Sequence, residues 1–143
     1  MKIKQLSIFI ENQAGRLYKS LDILADEGIN IRALSLADTS EFAILRLVVN
    51  DPMNAQELLK NNDFIVKITE IIAVELDDTP GGLTKVLKIL KEENINLEYL
   101  YAFTHDTTSK AILLLHTKDL DELIDVLKAN EIKLVSAEEV YNL

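Results

Sequence analysis

The sequence predicts an α+β protein built from two tandem βαββαβ modules, residues 1–69 and 70–143. Each module should be an antiparallel sheet with both helices on one face. Three observations predict it: an internal duplication, alternating apolar residues at matching strand positions, and a matching apolar stripe in the helices. Aligning 11–34 with 77–100, an offset of 66, brings ten identical residues together without a gap. They include Gly15/Gly81, Leu17/Leu83, Leu21/Leu87, Leu24/Leu90, Glu27/Glu93 and Asn30/Asn96. After a two-residue insertion near His105 and Asp106 the match resumes at an offset of 68, with Ala43/Ala111, Leu45/Leu113, Asp51/Asp119 and Asn62/Asn130. Helical periodicity alone explains paired leucines but not paired Gly and Asn, so duplication is the better reading.

Leu6, Ile8 and Ile10 alternate with Gln5, Ser7 and Phe9, the period of a half-buried strand; Ile72, Val74 and Leu76 repeat it. A turn follows, Asn12-Gln13-Ala14-Gly15 or Asp78-Thr79-Pro80-Gly81, and then a helix to about Glu27 or Glu93. Leu17, Leu21 and Leu24, or Leu83, Leu87 and Leu90, make one buried stripe at i, i+4, i+7. Thr79 reads as an N-cap with Pro80 in the first turn. Gly28 and Asn94 end the helices, since both tolerate a left-handed backbone. Two strands come next, about Asn30–Ala37 with Phe42–Val49 and Asn96–Phe103 with Lys110–Thr117, joined by short polar links. Asp51-Pro52 opens a second helix to about Asn61, and Asp119 opens its counterpart to about Asn130. Strands near Phe64–Ile68 and Lys133–Ser136 close the modules. This order is the ferredoxin-like split βαβ motif, and right-handed crossovers place both helices on one face.

Composition excludes several classes. The net charge of -9 opposes phosphate backbones, so no nucleic-acid partner is expected. No Cys is present, which removes disulfides, thiolate metal sites and thiol catalysis. No run of 18 apolar residues or signal peptide is apparent, so no membrane association is expected and the location should be cytoplasmic. The histidines, His105 and His116, lack clustered carboxylates, and no metal or cofactor is expected. The serines fall in no nucleophile motif. Tyr99, Tyr101 and Phe103 alternate on one strand as an RNA-stacking face does, but flanking Lys and Arg are missing, and they read as core or interface aromatics.

The distinctive chemistry lies in the turn before the first helix of each module. In Asn12-Gln13-Ala14-Gly15-Arg16-Leu17 and Asp78-Thr79-Pro80-Gly81-Gly82-Leu83 a small residue precedes Gly at the helix start, where backbone N–H groups and the helix dipole suit a carboxylate. Fifteen residues after each Gly stands an Asn, in Asn30-Ile31 and Asn96-Leu97. Helix and strand run antiparallel, so that Asn belongs at the far end of its own helix and would serve a neighbour's turn across an interface.

These motifs, present in both halves, resemble the ACT domain, and the resemblance covers essentially the whole chain. The first turn is similar to that of the serine-sensing ACT module of phosphoglycerate dehydrogenase. In that relative, Asn residues matching Asn12 and Asn30 contact serine across paired modules. Here Asp78 replaces the first Asn in the second half, and a histidine of that relative falls on Ile10 and Leu76, a departure from the serine site. The resemblance implies a non-catalytic regulatory protein that binds a small amino acid through Asn12–Leu17, Asn30, Ile31, Asp78–Leu83, Asn96 and Leu97. It also implies a homodimer or larger assembly through module pairing, with a regulated metabolic enzyme as a partner. A protein-interaction module of the same fold without a ligand is the alternative. Apolar residues on the outer sheet face, among them Phe9, Ile71 and Ala73, favour pairing of copies.

Overall fold

The computed structural model describes residues 1–38, 41–104 and 109–143. They divide into two compact units. The first comprises Lys4–Thr69 with Tyr141–Leu143, and the second Met1–Ile3 with Glu70–Val140.

The first unit carries β1 (Ile3–Glu11), α1 (Arg16–Asp26), β2 (Ile31–Asp38), β3 (Phe42–Val49), α2 (Pro52–Asn61) and the opening of β4 (Ile65–Asp77). Its strand order is β2-β3-β1-β4. Strand β3 runs antiparallel to both neighbours, with Leu6 opposite Leu47 and Leu36 opposite Leu45. Leu6, Ile8, Ile10, Leu45, Leu47 and Val49 form the sheet's side of the core, and Leu24, Ala55 and Leu59 bring both helices onto that same face.

The second unit repeats the plan with the later part of β4, α3 (Gly82–Glu92), β5 (Tyr99–Thr104), β6 (Lys110–His116), α4 (Leu120–Ala129) and β7 (Leu134–Val135). Strand β6 lies between β4 and β5, and β7 pairs with β4. Val86, Leu90, Leu123 and Leu127 pack on Ile72, Val74, Leu113 and Leu115. The duplicated helix signals perform the same work in both units. Asp51 and Asp119 cap α2 and α4 by accepting the N–H of Asn54 at 3.3 Å and Glu122 at 2.9 Å. Asn62 and Asn130 each donate a side-chain hydrogen bond to the carbonyl four residues back, Leu58 and Val126. Gly28 and Asn94 both have positive φ after their helices.

Several expectations need correction. Thr79 does not cap α3: Gly81, at φ 87, occupies the cap position, and the Thr79 carbonyl accepts the Gly82 N–H at 3.0 Å. Pro80 therefore precedes the helix. The stripe of α3 is not buried throughout. Val86 and Leu90 enter the core, while Leu83 and Leu87 remain 38% and 36% exposed. Strand β5 begins at Tyr99, not Asn96; the equivalent place in β2 carries a register shift between Ile31 and Ala33, so both repeats are irregular there. The last strand shrinks to two residues and a short helix, α5 (Ala137–Tyr141), follows it. Finally, Ile71 and Ala73 are fully buried within the single chain, so their apolar character needs no second copy, whereas Phe9 stays exposed.

Candidate functional site

The turn after the first strand of each unit borders a cavity, at the same place in both repeats. In the first unit the cavity measures about 300 Å³. Asn12, Gln13 and Gly15 come from the turn and Leu17 from α1; Ile10, Leu36, Asp38, Phe42 and Ala43 supply the strand walls. In the second unit the cavity measures about 590 Å³. Asp78, Thr79 and Leu83 occupy the places of Asn12, Gln13 and Leu17, and Leu76, Ala102, Thr104, Ala111 and Leu113 line the sheet side with Phe103. The correspondence follows from the register: Asp38 pairs with Ala43 as Thr104 pairs with Ala111.

The left-handed backbone at Gly15 (φ 85) and Gly81 (φ 87) turns the chain into the helix and fixes the cavity's mouth. Some turn N–H groups expected to hold a carboxylate are already bonded. Gln13 donates to the Glu11 carbonyl at 2.7 Å, and Asp78 donates to the Ser109 carbonyl at 3.0 Å. Arg16 and Gly82 close tight turns onto Gln13 and Thr79. Among the described residues, the N–H groups of Gly15, Leu17, Gly81 and Leu83 have no protein acceptor. These are the orphan donors of a helix start.

Other anticipated residues lie elsewhere. Ala14, Pro80 and Gly81 do not line the cavities. The Arg16 guanidinium sits 4.2 Å over the Phe64 ring, a cation–π contact facing the core. Gly82 borders a separate hollow of about 190 Å³ with Lys85, Val86 and Lys133. Asn30 stands at the opposite end of its sheet, where its backbone pairs with Asn50. The seven steps of β2 separate it from the turn by roughly 23 Å. Ile31 and Leu97 pack against the cores. Asn96 belongs to its own hollow of about 240 Å³, with Asn94, Glu98, Asp119 and Glu122. Neither Asn meets the turn of its own unit.

Charge at the second cavity is set by Asp77, whose carboxylate pairs with Lys110 directly opposite on β6. The hydrogen bond from Lys110, then its charge, holds the Asp77 carboxyl below the usual carboxylate range, and the same contact raises Lys110. In the first unit the matching pair is Glu11 and Phe42. Phe42 instead meets Phe9, with ring centroids 5.3 Å apart.

The other candidates resolve more simply. Tyr99 is half-buried and stacks on His116 at 4.9 Å. His116 lies 3.2 Å from the Glu98 carboxylate and 3.0 Å from the Glu70 carbonyl. His105 and Asp106 lie outside the described residues. Among the described residues no group of three or more His, Cys, Asp or Glu can share a metal ion. No helix among them is long and apolar enough to cross a membrane.

The repeated fold and turn define a class, and comparison places the chain within it. The family model "ACT domain pair" matches residues 1–143, and the chain belongs to that family. It is similar to protein BT0572 of Bacteroides thetaiotaomicron, at 40% identity over 100% of this chain and 98% of that one, with a TM-score of 0.94. The regulatory subunit of aspartate kinase from Thermus thermophilus shares the fold at 15% identity and a TM-score of 0.62, over 88% of this chain and 90% of that one. The corresponding subunit from Thermus flavus does so at 19% identity and 0.63, over 88% of each chain. No curated protein matches the chain.

The strand walls of both cavities escaped the sequence reading. A signal existed: Leu36, Asp38, Phe42 and Ala43 flank the link between adjacent strands, and the duplication pairs them with Ala102, Thr104, Lys110 and Ala111.

Proposed function

We propose that this chain is a non-catalytic regulatory protein that binds a small α-amino acid, with modules at 1–69 and 70–143, acting in the cytoplasm. One observation carries the reading: the same turn borders a cavity at the same register in both repeats. The orphan N–H groups of Gly15 and Leu17, or that of Leu83 in the second unit, suit the ligand's carboxylate. Asn12 or Asp78 faces its ammonium. Copies of the chain pair through the edge strands, where Leu34 and Leu36 are 54% and 48% exposed, and an Asn30 or Asn96 of a neighbouring copy completes the site. The aspartate kinase regulatory subunits share this fold. The bound chain acts on a partner enzyme or on its own assembly, provided the ligand favours one state over another.

A thermal-shift panel of the proteinogenic amino acids tests this, because any ligand of the native state alone raises Tm with concentration. Calorimetry with the responding amino acid should then show Asn30→Ala or Asn96→Ala weakening binding by about 10- to 150-fold, the equivalent of one hydrogen bond to a charged group. Unchanged affinity in both single variants and in the double variant refutes the shared site. A panel with no response refutes amino-acid binding and leaves a protein-interaction module. A monomeric mass by light scattering argues against pairing of copies.

A further inference from the structure

The two cavities differ in ways that the shared turn does not explain. One substitution between the repeats opens the wall of the second one: Ala102 stands where the first unit has Leu36. At the place of Phe42, which lines the first cavity, the second unit has Lys110, which pairs with Asp77 and does not line the second cavity. The volume rises from about 300 to about 590 Å³. Its lining is largely apolar: Leu76, Leu83, Ala102, Ala111 and Leu113. Leu83, at 38% exposure, is an apolar helix residue with one flank uncovered. Polar groups gather at the mouth, where the Asp78 carboxylate has no partner among the described residues and Thr79 stands beside it. Such a shape, apolar within and polar at one end, matches a molecule with the same division.

We propose that the second unit's cavity selects an α-amino acid with a bulky aliphatic side chain, such as leucine, isoleucine or valine, and that the first unit's cavity does not. The inference rests on the amino-acid reading above and adds the side-chain class and the unit. The ammonium pairs with Asp78, and the aliphatic side chain enters the space that Leu36 fills in the first unit. Covering Leu83 and Ala102 with that side chain removes apolar surface from water on both partners.

The test is calorimetry on the full chain with leucine, valine, alanine, serine and lysine. Leucine should bind about 10- to 100-fold more tightly than alanine, as burial of several methylenes implies. Ala102→Leu, which rebuilds the first unit's wall, should abolish the preference for leucine over alanine. Ala102 is exposed on its edge strand, and Leu36 is tolerated at the matching place, so the variant should fold; Ala102→Val, with an intermediate loss, provides the second reading. Serine or lysine binding as tightly as leucine overturns the side-chain class but not amino-acid binding. Persistence of the preference in Ala102→Leu overturns the choice of unit. No binding of any amino acid overturns both proposals.

Discussion

At the turn end of the first unit, Phe9 and Phe42 meet across adjacent strands, and Leu36 lines the cavity that Phe42 also borders. At the matching positions of the second unit stand Glu75, Lys110 and Ala102, with Glu75 bonded to Lys133 at 3.0 Å and Lys110 to Asp77. The backbone plan is the same, but one end carries an aromatic pair and the smaller cavity, and the other a charged pair and the larger one. Duplication preserved what the fold requires, namely the glycine turns, the caps and the helix-facing leucines. The residues that shape the cavities lie on strand ends and an edge strand, where substitution changes a surface and leaves the core intact.

The largest difference should separate core from cavity wall. Leu24 and Leu90 are matched and essentially fully buried, at 0% and 2% exposure, so Leu24→Ala and Leu90→Ala should each cost about 2–5 kcal/mol. Leu83→Ala should cost under about 1 kcal/mol, because its side chain is partly in water already. Denaturant midpoints measure all three. If Leu83→Ala proves as costly as Leu90→Ala, Leu83 is a core residue and the second cavity is not free space.

The helix starts should differ next. At Gly82 an added Cβ would stand 2.0 Å from the Asp77 carbonyl oxygen, a backbone atom that cannot rotate aside. Gly82→Ala should therefore cost about 2–4 kcal/mol. The matched residue in the first unit is Arg16, whose side chain packs over Phe64. Arg16→Ala loses that contact and should cost about 1 kcal/mol. Equal losses in the two variants would mean that the two helices approach their strands alike.

Much of this was legible in the sequence because it has a period. The alternation of Leu6, Ile8 and Ile10, the Asp51 and Asp119 caps and the left-handed exits at Gly28 and Asn94 are local signals read within a few residues. The cavities were half legible. The turns announced them, but their walls come from β2, β3, β5 and β6, and which residues face the turn depends on strand register. The clash that makes Gly82 necessary involves a carbonyl five residues earlier, and no residue type signals it. Burial of Ile71 and Ala73 was misread because alternation tells which face a residue takes and not what covers it. The five-residue α5 is too short to show a helical period.

The smallest difference should appear in acid. Asp77 is held below the usual carboxylate range by its hydrogen bond with Lys110 and then by that charge, and Lys110 is correspondingly raised. A lowered carboxylate pKa stabilises the fold above the unfolded value, about 3.9, and the contribution disappears as pH falls through the lowered folded value. A raised lysine acts in the opposite sense, contributing below about 10.4 and losing its effect as pH rises through the raised folded value. The pair should therefore stabilise the second unit between those limits. Both side chains are substantially exposed, at 43% and 63%, so water and salt screen the effect and its size must be small. In calorimetry, Lys110→Met should lower Tm slightly near about pH 7 in low salt. The difference between wild type and variant should narrow as pH falls through the lowered Asp77 value, and should narrow also in about 1 M salt. Phe42→Met, at the matching place opposite Glu11, should change Tm through lost contact with Phe9 and be insensitive to salt, because Phe42 carries no charge. A Tm difference for Lys110→Met that persists unchanged in acid and in high salt would make Lys110 a packing residue, and the contrast between a charged rim and an aromatic one would then be a contrast of shape alone.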